Sequence, residues 1–277
     1  MLIRSALALA LLAGSAHAAD FSRSLTVGNS PDLYVSNGSG DIHIFAGSDT
    51  QVHIQAHVSS NWQLFGSNAE DRIHRIERNP PIRQSGNEIR VGDIAAEDRS
   101  VFNNITIDYE ISVPRSTALN LHSGSGDLRV DGVGRFLKAQ TGSGPVRAFG
   151  VSGSADLHTG SGDIELEEQA EAEVQAVTGS GSIRIRGLDG KLTARTGSGD
   201  IDASGKVIAG AHLQSGSGSI HVHAGADAHY SVDASTGSGS IRVAGNEDAE
   251  HHHISRPVNG GGPLVEARTG SGDIEID

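Results

Sequence analysis

Apolar and polar residues alternate along most of the chain, and Gly-Ser-Gly interrupts the alternation at regular intervals. From Gly124 to Gly237 the first glycine of this tripeptide recurs at steps of 18, 18, 19, 18, 19 and 21 residues. One outlying copy begins at Gly38 and another at Gly270. A fixed period of this length is typical of repeat architectures.

Each tripeptide is flanked by apolar residues at every second position. The pairs that precede it include Leu137/Ala139, Ala155/Leu157, Val174/Ala176, Leu192/Ala194, Ala211/Leu213 and Val232/Ala234. The pairs that follow it include Leu128/Val130, Val146/Ala148, Ile164/Leu166, Ile183/Ile185, Ile201/Ala203, Ile220/Val222 and Ile241/Val243. Period-two alternation of this length predicts half-buried strands on both sides of each turn.

Two short strands cannot bury an apolar face alone, so successive coils must stack at about 4.8 Å. We therefore predict an all-β, single-chain β-solenoid with coils of about 18 residues over 119–277. Thr or Ser before each first glycine should form a hydroxyl ladder, and the turn glycines should supply positive φ. Residues 247–263, which include His251–His253 and Gly260–Gly262, are predicted as a loop inserted before the last coil.

Residues 20–118 break the repeat and are predicted to form N-terminal strands and a β-rich cap. Two alternating stretches, Thr50–Val58 and Ile105–Val113, predict strands. Asn68 followed by an acidic turn predicts a short helix that ends near Arg78, before two prolines. Ile82–Val91, with Ser-Gly-Asn at its centre, predicts a hairpin.

Residues 1–19 have the features of a signal peptide: Arg4, the apolar run Ala6–Ala13 and the cleavage pattern Ala16-His17-Ala18. We therefore expect an exported protein that is periplasmic, secreted or on the cell surface. No later segment has the apolar length of a transmembrane helix. The chain has no cysteine, which excludes disulfides and thiol chemistry. Its formal net charge of −13 argues against nucleic acid as a partner.

The sequence resembles the bacterial "putative adhesin" domain family. The resemblance lies in Ile107–Pro114, in Leu119–Gly126, in the repeated Thr-Gly-Ser-Gly-Asp-Ile and in Arg78–Val91. It covers nearly all of the chain after residue 19 and implies an envelope-associated or secreted β-solenoid. The family is one of unknown function, and it supplies no active site to carry over.

Aspartate at the Gly-Ser-Gly turns raises the question of calcium. The residue after the second glycine reads Asp127, Pro145, Asp163, Ser182, Asp200, Ser219 and Ser240 through the seven repeats. Since no two successive repeats carry Asp, these side chains are interpreted as hydrogen-bonding partners of the turn backbone. A calcium ladder is the alternative.

The chain has 14 histidines. His251–His253, with acidic residues nearby, could hold a transition metal loosely, although a solvated loop is favoured. His221 and His223 could pair with His212 or His229, but the spacing matches no known site. We therefore predict no metal site.

No motif predicts catalysis. The Gly-Lys-Ser/Thr of a phosphate-binding loop and the Gly-x-Ser-x-Gly elbow of hydrolases are both missing. The outward residues Arg129, Arg147, Glu165, Arg184, Asp202, His221 and Arg242 are read as a mixed solvated surface. We predict no catalytic residue and no cofactor.

Trp62, Phe65 and Phe102 are interpreted as the small core of the cap, with an exposed recognition patch as the alternative. The predicted function is a non-enzymatic structural or adhesin-like module that binds an envelope protein or a glycan. The alternatives are a glycan-binding or glycan-processing enzyme on a β-helix scaffold and a scaffold in envelope-stress signalling.

Overall fold

Strands form on both sides of the Gly-Ser-Gly turns, as the alternation predicts. The computed structural model describes residues 18–60, 69–93, 100–168, 171–206, 210–225, 227–244, 246–248 and 252–277. The predicted signal peptide therefore lies almost entirely outside the described residues. The elements in chain order are β1 (Ala18–Thr26), β2 (Asp32–Ser39), β3 (Ile42–Ala46), β4 (Gln51–Ser60), α1 (Ala69–Arg78), β5 (Ile82–Ser85), β6 (Glu88–Val91), β7 (Ile105–Val113), β8 (Ala118–Ser125), β9 (Leu128–Asp131), β10 (Phe136–Thr141), β11 (Val146–Val151), β12 (Ser154–Thr159), β13 (Ile164–Glu168), β14 (Ala172–Thr178), β15 (Ile183–Thr196), β16 (Ile201–Lys206), β17 (Ala211–Ser215), β18 (Ile220–His223), β19 (Tyr230–Thr236), β20 (Ile241–Val243), β21 (Asn246–Asp248), β22 (His253–Val258), β23 (Leu264–Thr269) and β24 (Ile274–Ile276).

The strands form two sheets that make the two walls of a flattened solenoid. Sheet A holds the strands that follow the turns, in the order β1-β4-β7-β3-β9-β11-β13-β15-β16-β18-β24-β20-β21. Sheet B holds the strands that precede them, in the order β5-β6-β2-β8-β10-β12-β14-β15-β17-β23-β19-β22. The long strand β15 runs through both sheets and joins them. The fold is the predicted all-β solenoid.

The core is built from columns of aliphatic side chains that point inward from both sheets and form one cluster. Between β10 and β12, for example, Leu137 lies in register with Ala155, and Ala139 with Leu157. Because the register is kept from coil to coil, each inward side chain packs on its counterpart in the next coil. Apolar area is thereby removed from water along the whole rod.

The turn glycines differ from the prediction. In the central coils they do not adopt positive φ. They are required because adjacent coils approach too closely for a side chain: a Cβ on Gly162 would lie 2.1 Å from the carbonyl oxygen of Gly144. Positive φ occurs instead at the second turn of the coil, for example at Gly150 and Gly187.

The predicted ladder of hydroxyl residues stacks in register but bonds to glycine backbone. Thr159 Oγ1 donates to the Gly144 carbonyl of the neighbouring coil at 2.8 Å and accepts from the Gly162 N–H of its own turn at 3.0 Å. The same pair of bonds recurs around Thr178 and Thr196. These hydroxyls are buried, so the bonds satisfy groups that water cannot reach.

The order of the coils differs from the order of the sequence at the C-terminal end. The last coil, β23 and β24, lies between the coil of β17 and β18 and the coil of β19 and β20. The seven repeats therefore do not stack without interruption. Part of residues 247–263, predicted as a loop, is strand, because β22 pairs antiparallel with β19 and covers that end of sheet B.

The N-terminal region contains the predicted elements. The strands β4 and β7 pair antiparallel, the hairpin β5–β6 forms, and α1 ends at Arg78. The buried face of α1, with Ile73 and Ile76, packs against β1 and β4. The outlying copy at β2 and β3 stacks on β8 and β9, and β6 and β7 cover its other side.

Candidate binding surface

The outward face of sheet A carries a row in which charged residues meet across successive coils. In spatial order this row reads His43, Arg129, Arg147, Glu165, Arg184, Asp202, His221, Glu275 and Arg242. From Arg147 onward, basic and acidic side chains alternate. Across coils, Arg186 Nη1 lies 2.7 Å from Glu165 Oε1, and Arg242 Nη1 lies 3.2 Å from Glu275 Oε1. Most of the charged side chains in this row therefore form ion pairs with charged side chains of neighbouring coils.

A compact example of this pairing surrounds Asp131. Partial burial would raise the pKa of Asp131, but hydrogen bonds from Arg129 and His43, both at 2.7 Å, outweigh it and lower the pKa. The carboxylate is therefore held ionised between two partners.

The outward face of sheet B differs in composition. Its first row reads Tyr34, Asn120, Lys138, Asp156, Gln175, Thr193, His212, Glu266 and Asp233, and its second reads Ser36, His122, Gln140, His158, Val177, Arg195, Gln214, Arg268 and Ser235. Within the described ranges, several polar side chains of these rows make no side-chain hydrogen bond or ion pair, among them Asn120, His122, Gln140, Gln175, Thr193, Arg195 and Gln214. Sheet B also carries two large apolar side chains that are exposed to solvent, Phe136 (41% exposed) and Leu264 (51% exposed).

A groove of about 360 Å³ lies at the N-terminal end of sheet B. It forms because β6 covers only the first half of β2 and ends at Val91. The chain turns at Gly92, where φ is +76° and a Cβ would lie 1.8 Å from the carbonyl oxygen of Ser36. Tyr34, Asn120 and His122 line the groove together with Arg90, whose guanidinium carbon lies 4.4 Å from the Tyr34 ring centroid.

The turn aspartates act on the backbone of the next coil. Asp163, Asp200 and Asp273 each accept a hydrogen bond from a serine N–H one coil further on, at 2.7–2.8 Å. The bonds from Ser240 lower the pKa of Asp273. The interpretation as backbone partners therefore fits the geometry, although the bonded turn is that of the neighbouring coil.

The absence of Asp from successive coils holds for the seven repeats but does not extend to the outlying copy at the N-terminal end. Asp41 lies beside Asp127, and Asp108 lies on its other side. Each of Asp108 and Asp41 accepts a backbone N–H from its neighbour, at 2.9 and 2.8 Å. Among the described residues, no group of three or more metal-ligating side chains is arranged to hold an ion.

The histidines that the structure describes do not come together as a cluster. His221 and His223 lie on sheet A and contact the last coil, at 3.5 Å to Glu275 and 2.6 Å to Asp277. His212 lies on sheet B, 2.7 Å from Glu266. His251 is outside the described residues, while His253 is exposed and lies 3.5 Å from Asp233.

One ionisable side chain, Glu168, breaks the aliphatic core. It is only 4% exposed, and it lies in register with buried Val151. Neither carboxylate oxygen has a hydrogen-bond partner among the residues that the structure describes. This burial raises the pKa of Glu168 to about 7. Continuing the alternation of Ile164 and Leu166 by two residues places Glu168 inward, but a carboxylate at that position gives no apolar signal, so the sequence pattern ended at Leu166.

The aromatic residues of the cap are described in part. Trp62 and Phe65 lie outside the described residues, and Phe102 is half-buried against the core. Phe21 and Tyr109 pack edge to face with ring centroids 6.5 Å apart. Burial raises the pKa of Tyr109, which keeps its phenol neutral. Phe102 is thus placed with the core of the cap.

Comparisons with known proteins address the family. A family model described as Toastrack DUF4097 matches residues 20–277, which confirms the resemblance seen in the sequence. No protein of curated function matches the chain.

The crystal structures that match include the following three. A "putative adhesin" from Bacteroides fragilis is 13% identical, with 94% of this chain and 97% of that chain covered and a TM-score of 0.45. A "putative adhesin" from Parabacteroides distasonis is 15% identical, with 94% and 97% covered and a TM-score of 0.40. A "putative lipid binding protein" from Parabacteroides distasonis is 13% identical, with 93% and 96% covered and a TM-score of 0.40. None of these names is that of an enzyme. Over the described ranges, no helix has the length and apolar character needed to cross a membrane.

Proposed function

The chain belongs to the Toastrack DUF4097 family, and on that premise we propose that it is a non-enzymatic, adhesin-like module, exported to the bacterial envelope, that binds a protein or glycan on a rigid sheet face. The solenoid supplies the rigidity, because each coil is bonded to the coil above and the coil below. A partner then binds to a surface that is already ordered, which lowers the entropic cost of association.

The observation that carries this proposal is the contrast between the two outward faces. The ionic groups of sheet A pair with one another across the coils. Sheet B instead presents unpaired amide, imidazole and hydroxyl groups, together with exposed Phe136 and Leu264. Free polar groups beside isolated apolar side chains can bind a ligand without first breaking intramolecular bonds. We therefore assign the binding role to sheet B.

The test is co-sedimentation of labelled residues 20–277 with isolated bacterial envelopes. We expect saturable binding that the unlabelled protein displaces. Three substitutions on sheet B, Gln140→Glu, Gln175→Glu and Gln214→Glu, should abolish binding by adding charge to the proposed face. The matched control adds the same charge to sheet A through Ser22→Glu, Gln55→Glu and Ser204→Glu, and it should bind like the unchanged protein.

Two results would contradict the proposal. One is the absence of saturable binding, or an equal loss of binding in both triple variants. The other is time-dependent cleavage of envelope glycans by the purified chain, measured by mass spectrometry, since that would make the rod the platform of an enzyme.

A further inference from the structure

We propose that the groove over Tyr34, between Arg90 of β6 and Asn120 and His122 of β8, is a binding site for a neutral saccharide. This inference rests on the proposed function and deepens it, because it names one site on sheet B and one class of ligand. The groove volume of about 360 Å³ is near the lower end of the range for small-ligand sites.

The free groups of the groove match the chemistry of sugar hydroxyls. Asn120 and His122 are two residues apart on β8 and so project from the same face of the sheet. An amide offers both donors and an acceptor, and a neutral imidazole offers one of each. A sugar hydroxyl likewise donates and accepts, so adjacent hydroxyls can bond to both side chains. Neither Asn120 nor His122 has a side-chain partner among the described residues that would have to be displaced.

Tyr34 supplies the apolar part of the site. Its ring is half-buried in the floor of the groove, and Arg90 holds it from one side. Arg90 is itself fixed by a 2.6 Å hydrogen bond from Nε to Glu88 Oε1. An ordered aromatic ring can pack against the C–H face of a pyranose while its phenol remains available for a hydrogen bond.

The charges of the groove favour a neutral ligand over an anionic one. Arg90 is paired with Glu88, and Asp93 lies 3.7 Å from Arg83. The groups that remain free are the Asn120 amide, the His122 imidazole and the Tyr34 phenol. The chain as a whole carries a formal charge of −13, which repels polyanions at long range.

The size of the groove favours a saccharide over a folded protein. A stable protein interface buries about 800 Å² on each partner and has an apolar centre. The groove is small and has a mixed polar and apolar lining, and the neighbouring residues Lys138 and Asp156 are ion-paired at 3.5 Å. An extended chain of sugar rings fits such a surface better than a second globular surface does.

The test is isothermal titration calorimetry of residues 20–277 with maltohexaose, cellohexaose and chitohexaose, and with hexagalacturonate as the anionic comparison. At least one neutral hexaose should bind more tightly than hexagalacturonate. The double variant Asn120→Ala and His122→Ala should weaken that binding by roughly tenfold, because two hydrogen bonds are lost. Gln55→Ala, which removes an equally free and exposed amide on sheet A, is the matched control and should bind normally. Unchanged thermal melting would show that each variant is folded.

Three results would overturn the site: no neutral hexaose binds, the double variant binds as tightly as the unchanged chain, or Gln55→Ala loses as much affinity as the double variant. If envelope binding persists while the hexaoses fail, the saccharide site is wrong and the adhesin-like function stands. If envelope binding also fails, both proposals are wrong.

Discussion

The two outward faces of the solenoid are built from the same repeat, yet their polar side chains do different things. On sheet A, the side chain of one coil bonds to the side chain or backbone of the next, as in the pairs Arg186–Glu165 and Arg242–Glu275. On sheet B, the amides of Gln140, Gln175 and Gln214 bond to no described residue. Sheet A therefore links successive coils along most of its length, whereas sheet B has such links only in places, as at Lys138–Asp156 and His212–Glu266, and leaves its amides open to a ligand.

The difference shows that, in a repeat protein, backbone stacking and the inward aliphatic columns can fix the architecture alone. The outward residues of either sheet are then free to diverge. Since the turn and the core are common to both faces, changes there should cost the most, changes to sheet A less, and changes to sheet B least.

The largest effect should follow a change at the turn that joins the two sheets. In Gly160→Ala the new Cβ would lie 2.3 Å from the carbonyl oxygen of Gly142, a backbone atom that cannot move aside. We expect a loss of about 3 kcal/mol or more in the free energy of unfolding, measured by urea titration. Gly38→Ala changes the same turn position where no atom lies within 4 Å, and it should be nearly neutral. Equal losses in the two variants would show that close approach of the coils is not the cause.

The next effect concerns Glu168, the charged residue buried in the core on the sheet A side. Its folded-state pKa of about 7 exceeds the ordinary value of 4.5, so the native state holds the proton more tightly than the unfolded chain does. Stability should be full below pH 4.5 and should fall by up to about 1.4 kcal/mol per pH unit as the pH rises toward 7. In Glu168→Gln this part of the pH dependence should disappear. Urea titrations at pH 4.5, 6 and 8 would measure it, and parallel curves for the two proteins would contradict the burial of a titrating carboxyl.

The fold of the repeat body could be predicted because the apolar positions next to each Gly-Ser-Gly turn keep the same register from coil to coil. Leu137, Ala155 and Val174, for example, have the same place in successive coils and are all buried. The conformation of the turn glycines could not be predicted, because the approach of Gly162 to the Gly144 carbonyl is a property of stacking between coils. The groove over Tyr34 was missed for a similar reason, since it depends on the pairing of β6 with β2.

The order of the coils could have been inferred from charge. In sequence order, the outward residue His221 is followed by Arg242, and Ser219 by Ser240. Placing the last coil between them inserts Glu275 in the first row and Asp273 in the second. In this order, basic and acidic residues still alternate in the first row, and Asp and Ser still alternate in the second. Surface charge thus carried information about coil order that the hydrophobic pattern, identical in every coil, could not supply.

The alternation of charge on sheet A predicts a smaller effect from a change there. Glu275→Arg would place like charges next to Arg242 and remove the partner of His221, so we expect a loss on the order of 1 kcal/mol. Glu171→Arg makes the same change in net charge at an exposed position without a described partner, and it should be close to neutral. Urea titration at low salt would measure both variants, and added salt should reduce the difference between them.

Disulfide cross-linking tests the coil order directly. Because the chain has no cysteine of its own, only the introduced cysteines can form a disulfide. Ser219→Cys with Asp273→Cys places thiols on adjacent coils, where the Asp273 N–H now bonds to Ser219 Oγ at 3.2 Å. This pair should form a disulfide on mild oxidation. Ser219→Cys with Ser240→Cys should not, because two coil spacings of about 4.8 Å exceed the reach of a disulfide. The opposite outcome would mean that the coils stack in sequence order.

The smallest effect is expected on sheet B. The double variant Gln140→Ala and Gln175→Ala removes two free amides and breaks no described hydrogen bond, so the free energy of unfolding should change by no more than about 0.5 kcal/mol. A loss above about 1 kcal/mol would show that these side chains hold neighbouring coils together through bridging water, and sheet B would then resemble sheet A. A change near zero would leave the outward amides without a structural role, as expected of side chains whose hydrogen bonds are made to a partner outside the molecule.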